Sequence, residues 1–509
     1  MTGISLKRAP KYFRSNVTSG DWNTLSTWQE SLNGVSWSAA TTIPTDLDLE
    51  VNVRAGNTVT ISGAMTSPNL MVNGNLTISS ATGTKTFTGL VTVNTGGVWT
   101  NTAANSPVSF RGGITNSGTF NSGTGVHTFD TNAQALTGTI AIPNVTVSGV
   151  TLTNNNTLTV ATALSGTGTL TQAANSILNI GGTSGITTLI ATGTDNTVSF
   201  TGGAQTVNNG NYENLVLSGS GAKTLQTLTY TVYKNLTLSG TVTTATVVGF
   251  AVGGNLNIGN GTTFTAAGFD LTVTGTTAIG GGSSGSLVIN SATGIKTFVG
   301  LVTVNAGANF TNTAANEAVT FRGGITNAGT FSAGTGIYTF DTNDQALTGT
   351  FAIPNVTVTG VNLTNNNTLT VSTALSGTAG TLTQAANATL NIGGTSGITN
   401  LTAANTGNTV NYNGAAQTVK TTIYYNLTFS GSNTKTFIAN TTVINDISIA
   451  SGVNSSLGTG LVHMANRLIL AGTAQAANTY AGQNGVGAGV VNTTYFTATN
   501  GILNTLNNF

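Results

Sequence analysis

The chain has 509 residues, of which 39% are hydrophobic and only 5% are charged, with 67 glycines, six prolines and no cysteine. The formal net charge of +1 excludes nucleic acid as a main partner, because binding to phosphates depends on an excess of basic side chains. The lack of cysteine excludes a disulfide scaffold and a thiolate metal site. No run of about 18 apolar residues is present that would form a membrane-spanning helix.

Residues 1–65 differ in composition from the rest of the chain. Ten of the 27 charged residues (14 basic and 13 acidic) lie before residue 55, as do three of the four tryptophans, Trp22, Trp28 and Trp37. A stack of β-coils needs a cap of atypical sequence, because its first coil exposes an apolar end and an unpaired strand edge. We therefore predict an N-terminal extension and Trp-rich cap over 1–65. The alternative role for the three rings is contact with a glycan or another partner.

From Ser80 onwards the sequence repeats itself. The segment SATGTKTFTGLVTVN at Ser80 returns as SATGIKTFVGLVTVN at Ser291, an offset of 211 residues. Between 80–167 and 291–378, 69 of 88 positions are identical, and shorter phrases such as YENLVLSGSGAKTL and YKNLTLSG recur inside the large repeat. A duplication with smaller repeats inside it indicates a repeat architecture.

Alternating stretches such as LVTVN, NVTVSGV and TLTV have the two-residue period of strands and are separated by Gly, Asn and Ser turns. The chain is predicted to be all-β, and the nested repeats favour an elongated β-solenoid similar to a parallel β-helix. A series of β-sandwiches and a β-propeller are the alternatives. After the cap, the predicted domains are a first solenoid unit over 66–279, a second over 280–445, and C-terminal strands or a cap over 446–509.

Residues able to carry catalysis are scarce in the repeats. His127 of the first copy is replaced by Tyr338 in the second, so a histidine base would occupy only one of two matched positions. Two histidines and isolated carboxylates do not make a metal site. We predict no catalytic residue, no metal and no cofactor. After residue 54 the carboxylates are Asp130, Asp195, Glu213, Asp270, Glu317, Asp341, Asp344 and Asp446.

Charges that both copies retain indicate structural pairs. Arg111 and Asp130 of the first copy recur as Arg322 and Asp341 in the second. Each Arg–Asp pair is predicted to form an ion pair across neighbouring coils. The alternative is a polar binding spot that the chain displays twice.

Several phrases resemble a known family of repeat proteins. SGDWNTLSTWQESLNGVSWSAATTIPT, then NLTLSG and GSGAKTL, then AGTAQAANTYAGQ with NTTYF, are similar to the β-strand-repeat proteins of Bacteroidota. The resemblance covers nearly the whole chain and implies secretion by the type IX system and an adhesin-like role at the cell surface, without an enzymatic activity. MTGISLKRAPK stands where that family has a signal peptide, and LNTLNNF ends the sequence without a sorting domain. A phage fibre gene with host-like repeats would also have this arrangement.

We therefore predict a non-enzymatic structural fibre for surface attachment, presenting a Thr/Asn/Gly-rich surface to a cell-surface or glycan receptor. The predicted location is extracellular or at the cell surface. Open strand edges at the ends of the solenoid favour end-to-end assembly into a filament, and a homotrimer is the alternative form of self-association. The first alternative is a phage tail fibre or spike, located in the virion. The second is a carbohydrate-active β-helix enzyme.

Overall fold

The structure, a computed structural model, describes residues 8–228, 230–314 and 317–506. Strands account for 52% of the protein and helices for 1%, which confirms the all-β prediction. The strands form a parallel β-solenoid of about 21 turns, so the solenoid prediction is confirmed against the sandwich and propeller alternatives. The first seven residues of the predicted N-terminal extension and the last three of the predicted C-terminal segment lie outside the described residues.

The chain divides into two compact units. The first runs to Leu236 and includes Thr241–Thr244, and the second comprises Thr237–Gly240 and the chain from Ala245 onwards. The four domains predicted from the sequence follow the boundaries of the sequence repeat, whereas these two units are defined by their internal contacts. The four-domain division stays a prediction. The 3-10 helix that the structure describes is Leu25–Thr27.

Most strands of the first unit are three to five residues long. Its described strands are Tyr12–Ser15, Ser19–Asp21, Trp28–Ser31, Ser38–Ala39, Glu50–Val53, Thr58–Ile61, Met65–Ser67, Asn69–Val72, Asn75–Ile78, Lys85–Phe87, Val91–Val93, Val98–Asn101, Val108–Phe110, Ile114–Asn116, Thr119–Asn121, Val126–Phe129, Gln134–Ala141, Asn144–Val147, Thr151–Asn154, Thr157–Val160, Ala163–Gln172, Ile177–Ile180, Thr183–Ile190, Thr197–Phe200, Gln205–Thr206, Gly210–Tyr212, Asn214–Leu217, Ser220–Thr224 and Tyr230–Val232.

The division between the units falls within two short strands, Leu236–Leu238 and Thr241–Ala245. The described strands of the second unit are then Phe250–Val252, Leu256–Ile258, Thr263–Ala266, Leu271–Val273, Thr277–Ile279, Ser286–Ile289, Lys296–Phe298, Val302–Val304, Asn309–Asn312, Val319–Phe321, Ile325–Asn327, Thr330–Ser332, Ile337–Phe340, Gln345–Ala352, Asn355–Val358, Asn362–Asn365, Thr368–Val371, Ala374–Ser376, Thr381–Gln384, Thr389–Ile392, Thr395–Ser396, Asn400–Thr402, Thr409–Tyr412, Gln417–Val419, Ile423–Tyr424, Asn426–Phe429, Asn433–Phe437, Thr442–Ile449, Val453–Ser456, Val462–Leu470, Thr473–Ala474, Thr479–Ala481, Val490–Val491 and Ile502–Thr505.

Each coil contributes strands to several parallel ladders. Lys85–Phe87 pairs in register with Val108–Phe110 of the next coil, and Val91–Val93 pairs with Ile114–Asn116. In the third ladder of these two coils, Val98–Asn101 pairs with Thr119–Asn121. Because neighbouring strands in a sheet lie about 4.8 Å apart, equivalent side chains of successive coils stand directly above one another.

Alternation along each strand builds the core. In Thr157–Val160 the side chains of Leu158 and Val160 are fully buried and those of the two threonines are not. Aromatic side chains also stack from coil to coil: Phe110 lies 5.5 Å from Phe87 and 5.4 Å from Phe129, measured between ring centroids. Burial of these apolar columns supplies the main driving force for folding.

The N-terminal residues close the first coil of the first unit. Tyr12–Ser15 pairs antiparallel with Trp28–Ser31 and parallel with Glu50–Val53, so it covers the edge of the latter strand. Trp22 and Trp28 pack edge to face with ring centroids 5.1 Å apart, and Trp28 Nε1 donates to the main-chain oxygen of Trp22 at 2.8 Å. This arrangement fits the predicted role of a Trp-rich cap.

Candidate functional site

The three tryptophans considered as glycan contacts have different environments. Trp22 and Trp28 are 0% and 2% exposed, so a sugar reaches neither ring unless the cap opens. Trp37 is half-buried, and the guanidinium carbon of Arg14 lies 4.4 Å from its ring centroid. Trp37 is therefore the one of the three that presents ring surface to solvent.

Trp37 borders a pocket of about 430 Å³ on the outward side of the cap. The register of Tyr12–Ser15 against Glu50–Val53 places Arg14 beside Asn52. The loop that precedes Trp37, with Asn33 and Gly34, lines the same pocket as these two side chains. Sequence reasoning named Trp37 and missed the polar residues around it. The signal that pointed to them was the concentration of charge before residue 55.

The predicted Arg–Asp pairs are both present in the structure. Arg111 Nε donates to Asp130 Oδ1 at 2.7 Å, and Arg322 Nε donates to Asp341 Oδ1 at 2.8 Å. Both pairs join neighbouring coils, because the strands that end beside them are in register. Their side chains are between 25% and 38% exposed, so they are accessible to solvent and still tie one coil to the next.

The two histidines are buried in aromatic surroundings. The His127 ring stacks on Phe110 at 6.0 Å, its Nδ1 lies 3.1 Å from the oxygen of Gly125, and burial lowers its pKa to about 4. Tyr338 stacks in the same way on Phe321 at 6.1 Å in the second copy. Burial also lowers the pKa of His463. Both histidines thus pack as core rings.

Four lysines are buried with their ammonium groups enclosed by oxygen atoms. In the first of them, Lys85, Nζ donates to the main-chain oxygens of Ser80, Thr82 and Gly83 at 2.6 to 2.9 Å. Such a carbonyl cage satisfies the three donors of an ammonium group. The four caged lysines are Lys85, Lys223, Lys296 and Lys435.

The structure brings two of the scattered carboxylates together on neighbouring coils. Asp195 and Glu213 both bind Lys234, whose Nζ lies 3.3 Å from Glu213 Oε1. The hydrogen bond from Lys234 to Asp195, and to a lesser extent the one to Glu213, raises the pKa of the lysine. Among the described residues, three or more His, Asp or Glu side chains nowhere gather in a group that would hold a metal ion. Nor does any described helix have the length and apolarity needed to cross a membrane.

The second unit carries a regular, uncharged outward surface. Five strands, from the second half of Gln345–Ala352 to Asn426–Phe429, pair in parallel and in register. Their outward side chains form two columns, which we call the Thr/Asn face. The columns are Thr350, Thr368, Thr389, Thr409 and Asn426, beside Ala352, Thr370, Asn391, Asn411 and Thr428.

The two columns of the Thr/Asn face differ in their hydrogen bonds. In the second column Asn391 Nδ2 donates to Thr370 Oγ1 at 3.2 Å, and Asn411 Nδ2 donates to Asn391 Oδ1 at 3.1 Å. In the first column the side-chain hydroxyls of Thr368 and Thr389 bond to no other described residue. The first column has one such tie, from Asn426 Nδ2 to Thr409 Oγ1 at 3.5 Å, and leaves the hydroxyls of Thr368 and Thr389 to solvent.

The first unit has the equivalent face with fewer hydroxyls. Ile177 takes the place of Thr389 in its first column, and this isoleucine is 40% exposed. The remaining members of that face are Thr139, Thr157, Thr197 and Asn214, with Ala141, Thr159, Asn179, Ser199 and Val216 in the second column.

Both units thus present an outward surface of hydroxyl and amide groups along the coils. Comparison of the chain with protein-family models, with curated proteins and with solved structures finds no match.

Proposed function

We propose that this protein is a non-enzymatic attachment protein that presents its Thr/Asn face to glycans at a cell surface. The observation that carries the proposal is the register of the face: ten outward positions over five coils, with no charged side chain among them. Hydroxyl and amide groups bind the hydroxyls of neutral sugars without a cost of desolvating a charge.

Repetition strengthens such binding. One hydroxyl contributes about 1 kcal/mol through a neutral hydrogen bond. Contacts repeated on linked sites strengthen binding further, because the first contact raises the effective concentration of the next. In the first column, Thr368 and Thr389 of successive coils, about 4.8 Å apart, offer hydroxyls that bond to no other described residue. A polymeric glycan therefore meets several contacts at once, and a monosaccharide meets few.

The location is tested with one antibody to the chain, used for immunogold electron microscopy on producing cells and on virus particles released from them. We expect label on intact cell surfaces or on filaments that leave them. Label confined to virion tails or spikes would replace the proposal with a phage attachment fibre.

The binding face is tested by removing hydroxyls without changing shape. The triple substitution Thr350→Val, Thr368→Val and Thr389→Val keeps β-branched side chains, which strands favour. We expect at least a tenfold fall in the protein retained on insoluble cellulose, chitin or a neutral-glycan array.

The matched control removes three hydroxyls from other outward columns of the same unit, by Thr303→Val, Thr320→Val and Thr326→Val. Equal losses from both triple variants would contradict a specific face.

The carboxylates gathered around Lys234 favour one second candidate, the carbohydrate-active enzyme. Asp195 and Glu213 come from neighbouring coils, and glycoside hydrolysis uses two carboxylates. Release of soluble products from a polysaccharide panel, abolished by Glu213→Gln, would establish that activity and overturn the non-enzymatic proposal.

A further inference from the structure

The pocket on the outward side of the cap lies apart from the Thr/Asn face and has its own architecture. The parallel register of Tyr12–Ser15 and Glu50–Val53 sets Tyr12 against Glu50 and Arg14 against Asn52. The loop that carries Trp37 closes over these side chains, and Gly34 in that loop has φ +73° and lies above the Tyr12 ring. A side chain at Gly34 would be strained by this positive φ, so glycine permits the turn that brings the loop over the Tyr12 ring.

Glu50 lacks the partners that other carboxylates have. Among the described residues, every other Asp and Glu side chain accepts a hydrogen bond or joins an ion pair, and the Glu50 carboxyl does neither. Burial raises its pKa. A half-buried carboxyl without a partner is costly, and a ligand that supplies hydrogen-bond donors would offset this cost.

Two basic side chains beside it also lack a carboxylate partner. The Arg54 guanidinium has no hydrogen bond to a described residue, and Arg14 contacts only neutral groups, Gln29 Oε1 at 2.8 Å and the Trp37 ring. Elsewhere in the described chain, each Arg and Lys except Lys420 contacts a carboxylate or sits in a carbonyl cage.

Of the described residues, this one pocket therefore contains two of the three basic side chains that have neither a carboxylate nor a cage, and the one carboxyl that has no partner. We propose that this cap pocket binds an acidic saccharide, whose carboxylate is held by Arg14 and Arg54 and whose hydroxyls donate to Glu50, with Trp37 contacting the sugar ring. Guanidinium groups bind carboxylates through two parallel hydrogen bonds, and aromatic rings offer an apolar surface with a polar rim to sugars.

The size of the pocket agrees with this ligand. Its volume of about 430 Å³ lies in the range of about 300 to 1,000 Å³ that small-molecule sites occupy. Charge also selects the ligand, because two guanidinium groups and one carboxyl leave a net positive site that favours a monoanion. The inference does not rest on the proposed attachment function, since it uses none of the residues of the Thr/Asn face.

The test is isothermal titration calorimetry of the full chain with oligogalacturonate, and with the neutral oligogalactose of the same length. We expect the acidic oligosaccharide to bind at least tenfold more tightly. Equal affinities, or no detectable binding of oligogalacturonate and alginate oligosaccharides at 10 mM, would overturn the proposal. Equal binding of an N-acetylated amino acid would replace the saccharide with a simple carboxylate as the ligand.

Variants locate the site. Arg54→Ala and Trp37→Ala should each weaken oligogalacturonate binding at least tenfold, and Arg54→Lys should restore only part of it because lysine lacks the planar fork. Lys420→Ala is the matched control, since it removes a cation outside the pocket that pairs with no described carboxylate.

Equal weakening by Lys420→Ala and Arg54→Ala would show unspecific attraction between charges and would overturn the site. Melting temperatures of all variants show whether each is folded. Arg54 is exposed, so its substitution leaves the core of the cap intact.

Discussion

At the scale of single residues, the caged lysines are the least expected feature of this protein. A lysine in the core of a strand protein is rarely tolerated, because burial disfavours its charged form. Here main-chain oxygens at a turn take the place of water around each ammonium group. Lys223 Nζ, for example, donates to the oxygens of Gly202 and Gly203 at 2.8 and 2.6 Å. Lys85 and Lys223 of the first copy recur as Lys296 and Lys435 in the second, but this recurrence alone does not indicate that turns would surround the ammonium groups.

The caged Lys435 predicts a pH dependence of stability. Burial lowers its pKa to about 8, against an ordinary value of about 10.4 in the unfolded chain. Below pH 8 both states carry the proton and the cost of burial is fully present. Between pH 8 and about 10 the unfolded state alone stays protonated, so this lysine makes the free energy of unfolding rise with pH.

Denaturant unfolding at pH 7.5 and pH 9.5 measures the effect. Relative to Lys435→Met, the wild type should gain on the order of 1 to 3 kcal/mol between the two pH values. Lys420→Met, at a lysine without a cage, should follow the wild type. A Lys435→Met protein with the same pH dependence as the wild type would contradict the prediction.

The two copies provide a natural comparison for a buried ion pair. Lys296 Nζ lies 3.1 Å from Glu317 Oε1 with both side chains at most 1% exposed, whereas the matching Lys85 has Ser106 in place of the glutamate. Glu317→Ala leaves a buried ammonium group without its counter-charge, and we expect a loss of about 3 to 5 kcal/mol in the free energy of unfolding.

The control for this change is Ser106→Ala in the first copy. It removes one hydrogen bond, from Ser106 Oγ to the oxygen of Ser80 at 3.2 Å, and should cost about 1 kcal/mol. Similar losses from the two variants in denaturant unfolding would show that the carboxylate contributes nothing specific.

At the scale of elements, strands and their inward faces follow from the sequence, since Leu, Val, Ile and Phe alternate with Thr and Asn. Which strands stand above one another does not follow as directly, because loops between coils vary in length: Thr128 pairs with Thr146, 18 residues on, and Leu271 pairs with Lys296, 25 residues on. The Arg–Asp pairs were predictable because both copies retain them. The cap pocket was not, because it depends on a loop folding over two strands.

The ion pair between Arg322 and Asp341 is predicted to add little stability. The two side chains are 36% and 28% exposed, and solvent-accessible pairs contribute about 0.2 to 1 kcal/mol. A double-mutant cycle with Arg322→Ala and Asp341→Ala should give a coupling energy in that range. The same cycle on Arg111 and Asp130 is the internal control, and a coupling above 2 kcal/mol in either would show a larger role in joining the coils.

At the scale of the whole molecule, the repeat makes each coil depend on its neighbours, so the ends need special protection. Tyr12–Ser15 covers one edge of Glu50–Val53 in the first unit. In the second unit Val462–Leu470 pairs in parallel with Ile502–Thr505, which in turn pairs antiparallel with Thr479–Ala481. These irregular strands fill the positions where a further coil would bind.

Deletion of residues 1–49 should therefore cause self-association. The deletion leaves Glu50–Val53 with an unpaired edge, and such an edge is a template for another chain. Size-exclusion chromatography with light scattering should show larger species than the full chain forms at equal concentration. Adding Asn52→Pro to the deletion removes an edge N–H group and should reduce the association.

Circular dichroism shows whether the shortened chain keeps its strand content. A folded deletion protein with the same mass in solution as the full chain would contradict the role of the cap.

The caged lysines have one consequence for where such a protein remains intact. A turn that a bound metal ion stabilises loses that stabilisation when the ion is diluted or chelated, because the bound ion is in equilibrium with free ions in solution. The ammonium group of Lys435 is covalently part of the chain and lies against the oxygens of Gly414 and Ser432 at 2.7 and 3.2 Å. The turns that these lysines occupy therefore contain a covalently attached cation, and we expect their integrity not to depend on the metal ions dissolved in the water outside.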